Sequence, residues 1–329
     1  MTYPLDPALF SDAMKMDPTR AGFGRGLKAA GEANEAVVAL CADLTESTQM
    51  HLFRDAFPKR FVEMGIAEQN LVTVASGMAR AGKIPFTSSY AAFSPGRNWE
   101  QIRTTVSLNN MPVKIVGSHA GIFTGKDGAT HQMLEDIALM RVLPNMVVVA
   151  PGDAIEAEKA TKVIAENGLP SYIRLAREKT PVFSLDESPF EVGKAYVLKE
   201  GTDVALMGTG TMTYQLLVAA KVLAENGINA EVVHVPTIKP LDEETILASA
   251  KKTGRVVTAE EAQIAGGFGS AIAELLSDKL PMPVKRFGMQ DRFGESGDPK
   301  DLFEAFGLTG EQIAASVKEW CETTHQYHQ

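Results

Sequence analysis

The stretch Phe61-Val62-Glu63-Met64-Gly65-Ile66-Ala67-Glu68-Gln69-Asn70 runs directly into an apolar segment of helical period at residues 71–81. Residues 67–81 read as one helix with Glu68 in its first turn, where the helix dipole favours an acidic side chain. Ile66, Ala67, Leu71 and Val72 flank that carboxyl. A second reading is therefore open: a carboxyl walled off from water and kept for proton chemistry. Working outward, residues 36–44 read as a buried strand before this helix. After it come a strand at 84–90, a helix at 99–108, a strand at 113–118 and a helix at 131–142. A strand at 146–150, a helix at 153–166 and a strand at 171–175 complete the series. Such alternation implies a mainly parallel sheet covered on both faces, with functional residues in the loops at the carboxyl ends of its strands.

A polar, proline-bearing segment at 178–189 breaks the rhythm, and a second α/β series follows. Its strands read at 204–207, 230–235, 256–258 and 284–287, and its helices at 214–226, 241–253, 269–279, 300–306 and 311–323. The expected fold class is α/β, two doubly wound domains at residues 1–180 and 193–329 joined by a linker at 181–192. Gly208-Thr209-Gly210 and Gly266-Gly267-Phe268-Gly269 fall at strand-to-helix turns. Neither completes a dinucleotide fingerprint with its acidic ribose partner, so both read as tight-turn glycines.

With 329 residues, 45% hydrophobic and 22% charged, the chain is long enough for two ordinary globular cores. No apolar run approaches the ~18 residues of a membrane span, and the N-terminus lacks the basic and apolar regions of a signal peptide. Cys41 and Cys321 are the two cysteines and suggest no disulfide framework, which fits a reducing cytoplasm. A net charge of −9 argues against nucleic acid as a partner. An anionic substrate would need a local cluster of cations. No His, Cys or carboxylate pairs occur at metal-ligand spacing.

The strand ends of the first series supply candidates. Asp43-Leu44-Thr45-Glu46-Ser47 follows the first strand and Tyr90-Ala91-Ala92-Phe93 the next. His119 and then Asp127-Gly128-Ala129-Thr130-His131 follow the third, and Arg174 and Arg177 end the last. Each alone has a plain structural reading: core aromatics, a turn dipeptide, surface arginines, a helix cap, satisfied histidines. Their gathering at successive ends of one parallel sheet is harder to explain that way.

On these motifs the chain resembles the C-terminal half of transketolase, in the form encoded as two separate subunits. The resemblance runs through Gly65-Ile66-Ala67-Glu68-Gln69, Asp43 to Ser47, and His119 with Asp127 to His131. It continues through Gln101-Ile102-Arg103, Leu143-Pro144-Asn145, Lys239-Pro240-Leu241-Asp242 and Glu260-Glu261 with the following glycines. It implies a pyrimidine-binding domain followed by a smaller C-terminal α/β domain, with thiamine diphosphate as cofactor. By this resemblance Glu68 activates N1′ of the aminopyrimidine, Tyr90 and Phe93 contact that ring, and Asp43 lies beside the cofactor at a subunit junction. His131 bonds the donor's terminal hydroxyl and serves with His119 in catalysis. Asp127 reads the hydroxyl next to the acceptor carbonyl. Arg20, Ser47, His119 and Arg177 grip the sugar's terminal phosphate, a set suited to a dianion. Residues 94–99 hold one residue more than the family's pattern, so no third ring-contacting aromatic is assigned.

The family's diphosphate and metal anchor, Gly-Asp-Gly followed by Asn, is missing. Gly152-Asp153-Ala154 and Gly297-Asp298-Pro299 come nearest. The expectation is a subunit carrying the pyrimidine-activating half of a site, with Mg²⁺ or another divalent ion and the diphosphate held mainly by an N-terminal partner subunit in an α2β2 assembly. The expected activity is transfer of a two-carbon ketol unit from a ketose phosphate to an aldose. The alternatives are half of a deoxyxylulose phosphate synthase, the β-subunit of a 2-oxo acid dehydrogenase, or a non-catalytic assembly subunit.

Overall fold

The computed structural model describes residues 3–324. Its larger sheet has seven strands in the order Thr237–Lys239, Val147–Val149, Ser171–Arg174, Lys114–Ser118, Ile84–Tyr90, Val37–Cys41 and Phe61–Glu63. All neighbours pair in parallel except Thr237–Lys239, which runs antiparallel to Val147–Val149. Alternation along the strands explains why both faces are covered. Val37, Ala39 and Cys41 enter one core with Phe23, Leu27 and Ile164, whereas Val38 and Leu40 enter another with Leu71, Val72 and Ile102. Glu68–Arg80 covers the second face, its buried positions spaced at helical period.

The first face is covered by Ala154–Glu166 and by Thr19–Ala33, a helix that periodicity does not announce. Its sequence, TRAGFGRGLKAAGEA, carries four glycines and looks unsuited to a helix. Packing supplies the reason. A Cβ at Gly22 would run into the carbonyl oxygen of Ala154, and one at Gly26 into Glu158 and Thr161, so the glycines let two helices approach closely. This helix carries Arg20.

Other expectations are adjusted. Residues 131–142 are helical only over Asp136–Arg141, because Gly125 and Gly128, both at positive φ, turn the preceding chain into an irregular loop that holds His131. Residues 99–108 form a single α turn, Trp99–Gln101, followed by a π-helical stretch at Ile102–Ser107. The quoted opening stretch begins as the edge strand Phe61–Glu63.

The second sheet has five strands, ordered Val284–Met289, Val256–Gln263, Val204–Gly208, Ala230–His234 and Tyr196–Lys199, the last antiparallel. It is not an independent body. Its Met207 and Val233, with Ile272 on the helix Phe268–Lys279, belong to the same continuous core as Leu40 and Leu71, and Thr237–Lys239 crosses to complete the first sheet. Gly208-Thr209-Gly210 is a tight turn whose Gly210 N–H bonds Ala150 O, 3.0 Å away. Among the described residues no helix is long and apolar enough to cross a membrane.

Candidate active site

Glu68 opens its helix as the first helical residue, and only 2% of it is exposed. Leu71 and Val72 are buried beneath it, but Ile66 is 74% exposed and shields nothing. The water-excluding role passes to residues 93–98. Arg97 Nη1 donates to Glu68 Oε2 at 2.8 Å while its guanidinium lies over the Phe93 ring, 4.7 Å from the centroid. Buried Asn98 donates Nδ2 to the Glu68 carbonyl at 2.8 Å and to Ser94 Oγ at 3.2 Å. The loop at residues 93–98 thus places a cation on the glutamate's carboxyl and an amide on its backbone carbonyl, two contacts that no local pattern in the sequence announces.

Glu63 is a second unassigned organiser. Its Oε1 accepts from Asp43 N at 2.7 Å and Gly65 N at 3.0 Å, and its Oε2 from Thr45 Oγ1 at 2.9 Å. One carboxylate therefore fixes the two loops that present Asp43 and Glu68. Asp43 itself sits exposed at the end of Val37–Cys41 with φ 57°.

Four rings meet between adjacent strand ends. Tyr90 stacks on His119 with centroids 3.8 Å apart, and Phe93 lies 6.0 Å from Tyr90 at a shallow angle. His131 closes the group edge-on, 5.4 Å from Phe93 and 6.2 Å from Tyr90. Burial, then the charges of Arg20, Arg177 and His131, pushes the His119 imidazole down to about 2. It is neutral throughout the physiological range, with Nδ1 paired to Ser118 Oγ at 2.8 Å. It can share hydrogen bonds but brings no charge.

Cations gather just beyond. Arg20 Nε donates to Arg177 O at 2.9 Å and its Nη1 to Ser47 O at 2.6 Å, so Ser47 enters through its carbonyl. Burial and then the nearby Arg177 charge hold the Arg20 guanidinium below its usual value, which favours an anion between the two. Arg177 Nη1 bonds Thr124 O at 2.9 Å and Asp127 Oδ1 at 3.3 Å. Asp127 is therefore tied to the arginine group while sharing its loop with His131, whose backbone N–H bonds Gly128 O at 3.0 Å. Arg174, by contrast, is buried in an ion pair with Asp136 at 2.9 Å and belongs to the core.

The groups gathered are a buried carboxyl, a cluster of four rings and two adjacent arginines, with the Arg97 guanidinium now lying on both the Glu68 carboxyl and the Phe93 ring. Fold and site together define a thiamine diphosphate-type pyrimidine-binding domain joined to a second α/β domain. Comparison with known proteins gives the family. The model of the transketolase pyrimidine-binding domain matches residues 15–182, and that of the transketolase C-terminal domain matches residues 193–313. The chain belongs to the transketolase family.

Among its relatives is the provisionally named transketolase C-terminal section of Methanocaldococcus jannaschii, 45% identical over 303 residues and covering 91% of this chain and 95% of the relative. The 6-deoxy-6-sulfo-D-fructose transketolase subunit SqwH of Clostridium sp. (strain MSTE9) is 43% identical, covering 88% of this chain and 90% of the relative. A solved split-gene transketolase, described as an inactive β4 tetramer, superposes with a TM-score of 0.86 at 47% identity, covering 92% of this chain and 97% of that one.

Proposed function

We propose that the chain is the pyrimidine-domain subunit of a two-subunit, thiamine diphosphate-dependent transketolase that moves a two-carbon ketol unit from a ketose phosphate to an aldose. One observation carries the reading: a buried helix-start glutamate, four converging rings and a pair of adjacent arginines gather at the carboxyl ends of the first sheet's strands. When bound, the cofactor supplies the nucleophilic carbon that accepts the two-carbon unit. The chain's own groups do the rest. Glu68 would hydrogen-bond the pyrimidine ring nitrogen, with Arg97, which now donates to its Oε2, giving up or sharing that contact. Phe93 and Tyr90 orient the ring, with His131 placed toward the donor hydroxyls. Asp127 sits where it can read a hydroxyl, and Arg20, Arg177 and His119 hold the distal anion, with neutral His119 contributing a hydrogen bond instead of charge. Asp43 marks the junction with the partner.

Two facts support a partner. The sequence has no Gly-Asp-Gly anchor for a diphosphate and Mg²⁺. A close structural relative is described as split-gene and inactive as a β4 tetramer. An α2β2 assembly in the cytoplasm, with the cofactor between unlike subunits, fits both. The same reading treats residues 1–180 and 193–329 as its two domains.

The test is reconstitution. The pure chain should show no ketol transfer and negligible Mg²⁺-dependent cofactor binding, and both should appear when a diphosphate-binding subunit is added. Donors should then be compared: fructose 6-phosphate, its 6-deoxy-6-sulfo analogue and pyruvate. A sulfonate has the geometry of phosphate with one charge fewer, so preference for that analogue would redirect the arginine pair to sulfonate, as the name of one relative suggests. Preference for pyruvate would replace ketol transfer with a synthase or dehydrogenase chemistry. Turnover by the chain alone would remove the two-subunit model.

A further inference from the structure

The loop that follows Lys114–Ser118 holds His119, Asp127 and His131, yet it has little structure of its own. Gly121, Gly125 and Gly128 all have positive φ, and the 3₁₀ segment Ile122–Asp127 is kinked at Gly125. A segment built that way is held by what it touches. Much of what holds it comes from the second domain. Glu261, buried at the end of Val256–Gln263, accepts the Phe123 N–H on Oε1 at 2.7 Å and the Thr211 hydroxyl on Oε2 at 2.9 Å. The Phe123 ring packs edge-on against Phe303, with centroids 4.7 Å apart. Gln132 Nε2 bonds Gly125 O within the loop at 3.1 Å and Glu295 O in the second domain at 2.8 Å. There is no room to spare. A Cβ at Gly121 would collide with the Glu261 carboxyl, and one at Gly128 with Ser296 Oγ.

We infer that Glu261 is a positioning residue for substrate: it fixes Phe123 and so sets the loop on which Asp127 and His131 meet the sugar. This rests on the transketolase reading for what the loop binds, but not for the clamp itself. Among the described residues the second domain reaches this loop through Glu261, Phe303 and Glu295, and Glu261 is the side chain that bonds its backbone. Glu261 touches neither cofactor nor substrate. Its removal should loosen the loop and weaken substrate binding while leaving the Glu68 end, on the opposite side of the ring cluster, unchanged. Glutamine keeps a carbonyl oxygen for the Phe123 N–H, whereas leucine keeps only bulk.

The experiment has two arms. In the pure chain, amide hydrogen exchange is followed for residues 121–128 and, as an internal standard, for the strand Val37–Cys41. Glu261→Leu should speed loop exchange about tenfold or more, the scale of one hydrogen bond to a charged group, with the strand unchanged. Glu261→Gln should stay within about threefold of wild type on that scale. In the enzyme reconstituted with its diphosphate-binding subunit, Glu261→Leu should raise KM for fructose 6-phosphate about tenfold, with kcat and the rate of cofactor C2-proton exchange held within about twofold; Glu261→Gln should restore KM.

Phe303→Leu, which loosens the same loop through Phe123, gives a smaller rise in both readouts and stands in if Glu261→Leu fails to fold. Unchanged loop exchange in the pure chain would overturn the clamp. Loop exchange that rises with no change in KM would overturn its role toward substrate, as would KM, kcat and C2 exchange all worsening together. Should wild type process neither fructose 6-phosphate nor its 6-deoxy-6-sulfo analogue, the transketolase reading fails, while the exchange arm still decides whether Glu261 holds the loop; should it prefer the analogue, KM is read on that donor.

Discussion

Two parallel sheets of similar construction end in opposite ways. At the strand ends of the first gather groups of several chemistries: the Glu68 carboxyl, the stacked rings of Tyr90 and His119, and the adjacent Arg20 and Arg177. Those of the second are plugged by the first domain. Its His234, fully buried, pairs with Glu156 at 2.7 Å, its Gly210 bonds Ala150, and its Glu261 bonds Phe123. In open α/β sheets the carboxyl ends are where ligands gather. Here one sheet keeps that position for chemistry and the other gives it to a neighbouring domain. Topology alone therefore does not say which sheet is catalytic; what fills the strand ends does.

The difference can be broken most severely at Glu68. Glu68→Gln keeps the shape and the Asn98 contact but cannot exchange a proton. Turnover and C2-proton exchange of the reconstituted enzyme should fall by on the order of 10²–10⁴, with cofactor affinity changed far less. Near-normal exchange would move the activating carboxyl elsewhere. Glu63 is a poor substitute, since its oxygens are already occupied by Asp43, Gly65 and Thr45.

Next in size is the anion end. Arg177→Ala should raise KM for a ketose phosphate about ten- to a hundredfold, the scale of one charge-assisted hydrogen bond. Glycolaldehyde, which carries no phosphate, should hardly respond. Equal losses on both substrates would remove the anion assignment.

A third measurement addresses how the first domain is built. Gly22→Val forces a branched side chain into the Ala154 carbonyl, so the urea midpoint should drop by an amount equivalent to about 1–3 kcal/mol, as overpacking usually costs. An unchanged midpoint would mean that the two helices separate more easily than their contact implies.

The smallest effect contrasts the domains by pH. His119 is held down to about 2, so between pH 2 and 6.5 the unfolded chain binds a proton that the folded chain does not, and this group makes stability rise with pH. Burial raises Glu261 from 4.5 to about 7, so between those values the folded chain binds the extra proton and stability falls with pH. The two oppose each other from pH 4.5 to 6.5. His119→Asn should tilt the stability profile downward with pH, and Glu261→Gln should tilt it upward, each by no more than about 1.4 kcal/mol per pH unit. Urea midpoints at three pH values suffice; identical slopes in both variants would show that neither group titrates as its burial demands.

Where local pattern and tertiary packing agree, the sequence is easily read. Ile84–Tyr90 has the bounds its β-rich run suggests, and Glu68–Arg80 differs from its expected helix by a residue at each end. The Thr19–Ala33 helix escapes because its glycines serve a partner helix far along the chain, which no local window contains. Thr237–Lys239 is three residues long, and only the edge it completes makes it a strand. The site divides along the same line. Residues at strand ends can be proposed from position and resemblance, and the fold brings Tyr90, Phe93, His119 and His131 together. Arg97, Asn98 and Glu63 act through side chains that bridge loops distant in sequence, and such bridges leave no periodic trace.

The crossing strand has a consequence for how this polypeptide can be divided. Severed at residues 183–192, the first half would present Val147–Val149 as an open edge, with unpaired peptide groups inviting another chain to add on, and would uncover the apolar face that Met207, Val233 and Ile272 now occupy. The second half would carry an orphan ribbon, Thr237–Lys239, with no sheet to join. The junction that reads most like a hinge therefore joins two domains that share one sheet and one core.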